Sequence, residues 1–494
     1  MINQKLLLAR DYEKEAGKKI GEESRPKFHL SPCVGWMNDP NGFSFYQGEY
    51  HLFYQSNPYD TVWDTMHWGH AVSRDLLRWD YLPAALAPDE AYDAEGCFSG
   101  SALPLADGRQ LLMYTGVRRE EERGETIQAQ CIAVGDGRNY RKYEKNPVID
   151  TSALPEGMSR SDFRDPKIWQ EEDGSFHCVA GARRSGQPGL GAILLFGSPD
   201  GFSWKFESVL LENDGRFGRM WECPDFFALD GKHILLCSPQ DMLPEGLEYH
   251  NGNGTLCLVG EYDKAEKKFR WEKHQAVDGG IDFYAPQTML APDGRRIMIA
   301  WMQNWETCDR NGTDGKKWFG QMSLPRELSV KNGRLYQQPV RELLACRSNK
   351  VEYRGIFVSG ELVLNGIEGR VLELELTVRA KEAENPYRKF SVCFAQDNTY
   401  RTALSYRPHE SVLKIDRTFS GSRRAYVHQR SRLVSAGNGE LKLRLILDRF
   451  SAEVFIGDGE QVMTAVIMTD LSAKGISFFA DGEAVMDVIK YDLF

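Results

Sequence analysis

The 494-residue chain lacks cysteines placed to act together: its ten cysteines are scattered, and the nearest two, Cys223 and Cys237, are 14 residues apart. That excludes a CxxC metal knuckle or a redox pair and points to reduced, buried thiols. Long apolar runs are also missing. Nothing approaches the ~20 residues a membrane span needs, and Leu6 to Ala9 is too short for a signal-peptide core and is followed by charges. The expectation is a cytoplasmic protein with no membrane partner. Basic residues are not in excess: 61 Lys plus Arg against 71 Asp plus Glu give a net charge of −10. This argues against a nucleic-acid partner. What the chain does have is 46 glycines, 11 tryptophans and 41% hydrophobic residues, a balance that suits a turn-rich globular protein.

Five segments share one pattern, an apolar strand, a turn ending in Gly and a second apolar strand. Their turn glycines are Gly48, Gly108, Gly174, Gly231 and Gly294, separated by 60, 66, 57 and 63 residues. A second mark follows in phase: Asp75…Trp79, Asp136…Tyr140, Asp200…Trp204, Asp263…Trp271 and Asn332…Tyr336 read as an outer hairpin of each unit. Two hairpins per unit make a four-stranded sheet, and such sheets set radially make a propeller. The fold expected is all-β, a five-bladed β-propeller over 25–338 preceded by a helical arm over 1–24. A connecting stretch, 339–350, leads to an antiparallel β-sandwich over 351–494, where strands alternate around Asp-Gly turns at Asp458 and Asp481.

Innermost propeller strands line the central channel, so equivalent positions at their starts gather round one mouth. Nine residues before each hairpin glycine stand Asp39, Ser99, Asp165, Glu222 and Ala285. Singly, such acids cap turns. Three of them converging on one mouth repel one another, a cost that a ligand or chemistry must offset. Two carboxylates across a pocket are the equipment of a glycosidase. Glu222, in Met-Trp-Glu-Cys-Pro, reads as a general acid kept protonated by an apolar setting, and Asp39 as a nucleophile held ionised by Asn38 and Asn41. Trp36, Trp63 and Trp301 are the aromatics best placed to pack on a sugar. His67 and His70 face opposite sides of a strand with no partner ligands, which argues against a metal.

The motifs HLSPCVGWMNDPNG (29–42), FYQSNP (53–58), HWGHAVSRDLLRW (67–79), FSGSA (98–102), FRDPK (163–167), WECPD (221–225), DFYAPQT (282–288) and MSLPREL (322–328) occur in this order. The chain thereby resembles glycoside hydrolase family 32, which includes invertases, sucrose-6-phosphate hydrolases and fructanases. The resemblance implies a propeller plus sandwich and a retaining double displacement on a terminal β-fructofuranosyl unit of a small sugar. It implies Asp39 as nucleophile, Glu222 as acid/base and Asp165 as transition-state stabiliser. Asn38, Gln55, Trp63, Phe98, Ser99 and Arg164 match positions lining the fructose subsite. No metal and no organic cofactor is implied. Sucrose, sucrose 6-phosphate and short β-fructans stay open as substrates, with Arg183, Arg184, Arg216, Arg219 and Lys317 as candidate rim cations for a phosphate. A non-catalytic sugar-binding propeller is the alternative outside the enzyme class.

Overall fold

The computed structural model describes residues 3–494 except 121, 123, 187–188, 307, 309–314, 383, 422–426 and 438. Asn3 caps a helix, Gln4–Gly17, by accepting from the Lys5 amide, as an N-cap asparagine does. The helix buries Leu6, Ala9 and Glu13 against the outer strand of the first blade, where Arg10 donates to the Ala84 carbonyl and Glu13 accepts from the Ala84 amide.

Five sheets follow, each built from two consecutive hairpins. Their innermost strands are Gly35–Tyr46, Gly96–Pro104, Met158–Gln170, Trp221–Leu229 and Tyr284–Leu290. The Gly-centred turns join the first and second strands of every blade, and the second mark joins the third and fourth, pairing Ser73 with Trp79 and Gly135 with Tyr140, for example. The five-bladed expectation thus holds at the level of individual hairpins. One strand escaped the periodicity. Trp318–Phe319, reached after the second strand of the fifth blade, pairs in parallel with Gly35 and Trp36 of the first, so the ring is closed by hydrogen bonds between its first and last blades.

A 3-10 turn, Arg341–Cys346, leads into the second domain, whose first strand begins at Arg347. Here ten strands form one hydrogen-bonded antiparallel sheet folded upon itself. Two long strands, Arg347–Leu362 and Gly475–Leu493, pair along their length and belong to both layers. The first half of Gly475–Leu493 pairs with Lys389–Gln396 and the second half with Leu372–Ala380. Asp481-Gly482, expected as a hairpin turn, is instead the corner of this continuous strand. Gly482 has φ +106° and Gly360 opposite has φ +76°, and glycine lets the backbone turn the corner without a Cβ penalty. One apolar core fills the space between the layers, with Leu374, Leu445, Val454, Phe478 and Val488 among its members.

The two domains are joined by buried charge as well as apolar contact. His29, just ahead of the first blade, places Nδ1 2.8 Å from Asp448 Oδ2 and Nε2 2.9 Å from Glu453 Oε1. Arg326, fully buried in the fifth blade, reaches Glu453 at 2.6 Å and Asp278 at 3.1 Å. Burial disfavours charge on His29, but bonds to two carboxylates win and raise its pKa to about 9. No helix among the described residues is long and apolar enough to cross a membrane.

Candidate active site

In all five innermost strands the pairing with the second strand slips at the same place: between Met37 and Pro40, Phe98 and Gly100, Arg164 and Lys167, Glu222 and Asp225, and Tyr284 and Gln287. A bulge re-aims the side chains it carries. Asp39, Ser99, Asp165, Glu222 and Ala285 all sit in or at the edge of these bulges, so a repeated backbone irregularity turns them toward the axis. Pro40, Pro166, Pro224 and Pro286 fall within the same slips, where a residue without an N–H costs the ladder nothing. Asp165, Cys223 and Ala285 adopt φ of 64°, 48° and 51°, backbone strain of a kind concentrated at functional sites.

The bulges bring the three acids together. Asp39 Oδ2 accepts from the Ser99 hydroxyl at 2.8 Å and the Cys223 thiol at 3.4 Å, and Oδ1 accepts from Asn38 Nδ2 at 3.1 Å. Asn38 is itself oriented by the Trp36 indole, which donates to its Oδ1 at 2.7 Å. Asp165 Oδ2 accepts from the Cys223 amide at 2.9 Å and lies 3.6 Å from the same thiol. Cys223 therefore bridges Asp39 and Asp165, and Glu222 is the residue before it. Burial, and then the charge of Glu222, push the Asp39 carboxyl above its ordinary value, while Asn38, Ser99 and Cys223 pull it down. Asp165 is pushed up to about 7, first by burial, against the pull of Arg164, with Glu222 and Asp39 adding to the rise.

Glu222 does not sit in the apolar pocket expected of it. Arg164 donates to its Oε1 through Nε at 3.0 Å and Nη2 at 2.9 Å, and the Tyr284 hydroxyl lies 2.6 Å from its Oε2. The reason is strand alternation: Trp221 turns into the core between blades, and its neighbour faces the axis. Asn41 likewise does not reach Asp39; its amide is engaged with Gln55 and the backbone. The Tyr284 hydroxyl also lies 3.2 Å from the Ser238 carbonyl oxygen. It can donate to an ionised Glu222, or accept from a protonated one while donating to Ser238.

The aromatic residues divide. Trp63 is 45% exposed and meets Phe98 edge-on at 5.9 Å, so it stands on the rim. Trp36 stacks on Phe319 at 4.8 Å and faces Trp305 at 6.2 Å. Trp301, expected to line the pocket, is fully buried behind Trp305, whose ring is 5.0 Å away. It lies at the end of the second strand of its blade and pairs with Tyr284, which makes it a wall of the site and not a contact surface. Gln55 is buried and donates to the Cys97 carbonyl at 2.9 Å. Of the rim cations, Arg183 pairs with Asp162, Arg184 with Glu212 and Arg216 with Glu245. His70 bonds His51 within the first blade.

Sequence reasoning passed over Cys223 as a link between acids, Tyr284 as the partner of Glu222, and Asp162, which joins Arg164 at 3.3 Å to Arg183 at 2.6 Å. A signal was available for the first two, because each adjoins a position of the nine-residue register.

A five-bladed propeller with three bulge-borne carboxylates at its mouth, followed by a sandwich, is an architecture that comparison with known proteins can place. The family model described as "Glycosyl hydrolases family 32 N-terminal domain" matches residues 29–339, and "Glycosyl hydrolases family 32 C terminal" matches 342–492. The chain belongs to glycosyl hydrolase family 32 and is a glycoside hydrolase. It is 36% identical over 495 residues to the sucrose-6-phosphate hydrolase of Escherichia coli, covering 98% of both chains. It is 35% identical over 496 residues to the raffinose invertase of Escherichia coli, again with 98% of each covered. Among solved structures it is similar to a Bombyx mori GH32 beta-fructofuranosidase, with a TM-score of 0.83, 34% identity, and 99% of this chain and 97% of the other covered.

Proposed function

We propose that the protein is a retaining β-fructofuranosidase that hydrolyses the terminal β-D-fructofuranosyl residue of sucrose or sucrose 6-phosphate. The observation that carries this reading is the meeting of Asp39, Asp165 and Glu222 from three different blades around one residue, Cys223. In the first displacement a carboxylate oxygen of Asp39 attacks the anomeric carbon of the fructosyl unit, and the bond to the leaving oxygen breaks as Glu222 protonates it. In the second, Glu222 takes a proton from water, the water oxygen bonds to the same carbon, and Asp39 departs. Asp165 accepts hydrogen bonds from fructose hydroxyls and stabilises the positive charge developing on the ring. Arg164 and Tyr284 hold Glu222 in place for both steps, and Trp36, Asn38, Gln55, Phe98 and Ser99 shape and orient the fructose side. Trp63 supplies an exposed ring at the rim. The names of the similar proteins support this substrate class: sucrose-6-phosphate hydrolase, raffinose invertase, and a Bombyx mori enzyme of which a variant was solved in complex with sucrose. The ten cysteines, all free thiols in the structure, support a cytoplasmic setting.

The test is kcat/KM on sucrose, sucrose 6-phosphate and a short inulin oligomer, measured side by side on wild type, Asp39→Ala and Glu222→Gln. Both variants are expected to lose several orders of magnitude. Glu222→Gln should lose less on an activated aryl fructoside, whose leaving group needs no proton. Near wild-type turnover in Asp39→Ala overturns the assignment, and no fructose from any substrate overturns the function.

A further inference from the structure

A second cavity of about 280 Å³ lies at the seam between the first blade and the sandwich, lined among others by Arg25, Lys27, Trp79, Tyr81, Arg449 and Phe494. It is remote from the carboxylates. The strands of a blade run alternately, so Trp79, where the fourth strand of the first blade begins, is at the end opposite the bulge that carries Asp39. The volume is close to the lower bound of ~300 Å³ usual for small-molecule sites.

Its charge is unusual for a chain of net charge −10. Arg25 donates to Ser31 Oγ, the Pro32 and Cys33 carbonyls and the Tyr81 hydroxyl. Arg449 donates through Nη1 to the Glu22 and Arg25 carbonyls. These acceptors are all neutral. Arg25, Lys27 and Arg449 have no carboxylate partner among the described residues, and Glu22 is the one acidic side chain of the lining. Arg78, on the same lining, is neutralised by Asp75 at 2.7 Å. Three cations from two parts of the chain, Arg25 and Lys27 in one segment and Arg449 in another, thus converge on one concavity with the Glu22 side chain as its one acidic group among the described residues, an excess of positive charge that an entering anion relieves. The walls are aromatic. Trp79 and Tyr81 alternate onto one face of their strand; the Arg25 guanidinium lies over the Tyr81 ring at 5.2 Å, and Phe494, stacked on Phe28 at 5.4 Å, carries the Arg78 guanidinium at 4.9 Å, so Trp79 is the ring that can offer a flat apolar face to a sugar.

We propose that this cavity is a second ligand site, which binds a phosphorylated monosaccharide with its phosphate on Lys27, Arg449 and Arg25 and its ring against Trp79. The ligand bridges the segment ahead of the propeller, the first blade and the sandwich, so its binding stiffens the seam. The site owes nothing to the assignment of the active-site acids and stands or falls independently of it.

The probes are glucose 6-phosphate, inorganic phosphate and glucose, titrated calorimetrically into the wild-type chain and into the double variant Lys27→Gln/Arg449→Gln, with melting temperature as a second readout. To keep the active site out of the signal, the same titrations are repeated in the Asp39→Ala background with saturating fructose. The expected result is binding of glucose 6-phosphate with a raised melting temperature, several-fold weaker binding of inorganic phosphate and none of glucose. The double variant should bind glucose 6-phosphate at least about tenfold more weakly, with an unchanged far-ultraviolet spectrum and unchanged kcat/KM on sucrose. Equal affinity in wild type and double variant overturns the proposal. So does equal affinity for phosphate and the sugar phosphate, because the aromatic walls then contribute nothing.

Discussion

Replacing His29 by Gln tests the joint between the two domains, and its consequences can be worked out from the charges. Protonated His29 is clasped by Asp448 and Glu453, both fully buried. Its folded pKa of about 9 against an ordinary 6.5 corresponds to roughly 3 kcal/mol of folding stability. The folded value is the raised one, so this contribution is complete below pH 6.5 and is lost as the pH climbs through 9. Burial pushes the Asp448 and Glu453 carboxyls up, but bonds to His29 and to backbone amides and, for Glu453, the charge of Arg326 outweigh it and hold both below their ordinary values. Their contribution has the opposite sense and fades on acidification below about pH 4. Between these limits, at pH 6, His29→Gln removes one partner of a buried ionic cluster, a loss that typically costs about 3–5 kcal/mol. At pH 9.5 wild-type His29 is mostly neutral, and the gap between the two proteins should shrink by about 3 kcal/mol. Denaturant unfolding followed by tryptophan fluorescence at the two pH values measures the gap, and groups that titrate elsewhere enter both proteins equally. A gap that is the same at pH 6 and pH 9.5 would refute the charged state of His29 and with it the electrostatic account of the joint.

Asp165→Asn should stabilise the free enzyme at pH 8 by up to a few kcal/mol and little at pH 4, because a carboxyl raised to about 7 costs stability as the pH rises from its ordinary value through 7. The melting temperature read against pH checks this, and kcat/KM should fall at least a hundredfold in the same variant. Trp63→Ala, on a half-exposed rim ring, should raise KM several-fold with kcat and melting temperature nearly unchanged, measurable in one initial-rate series. Gly320→Ala should lower the melting temperature by several degrees: the residue has φ +88°, and a Cβ there would lie 2.1 Å from the Met37 carbonyl oxygen.

The propeller was legible because its period is written in backbone chemistry. Turn glycines such as Gly108, Gly174 and Gly294 are needed for their positive φ of 85°, 88° and 85°, so the turns fall at fixed places whatever the rest of the blade does. The nine-residue offset worked for the same reason, since the bulge stands at a constant distance up the strand from the turn. The surroundings of each acid were not legible. Glu222 has apolar neighbours in sequence but Arg164 and Tyr284 in space, contributed by the adjacent blades. Trp301 and Trp63 look alike as tryptophans near strand ends, yet one is walled in by Trp305 and the other projects from a loop. Asp481-Gly482 carries a hairpin signal, but Arg388 donates its amide to the Asp481 carbonyl and the paired strands run through, so tertiary pairing overrode the local turn preference.

Because each acid rides on a different blade, no single hairpin sets their separation; ring closure does. Asp39 is carried by the first blade, which the parallel strand Trp318–Phe319 ties to the chain emerging from the fifth, and the Gln287 side chain of the fifth blade bonds the Phe43 amide at 2.8 Å and the Gly100 carbonyl at 3.0 Å. Glu222 is carried by the fourth blade and is gripped by Arg164 of the third and Tyr284 of the fifth. The two acids are therefore located relative to one another through both ways round the ring. On the sandwich side, His29 and Arg326 fasten the start of the first blade and the third strand of the fifth to the same residue, Glu453. The second domain holds none of the acids and still helps fix the join on which their spacing depends. Loosening that join, by His29→Gln or Gly320→Ala, should accordingly lower kcat before it unfolds the chain, since a misplacement of about 1 Å between reacting groups can cost a hundredfold in rate.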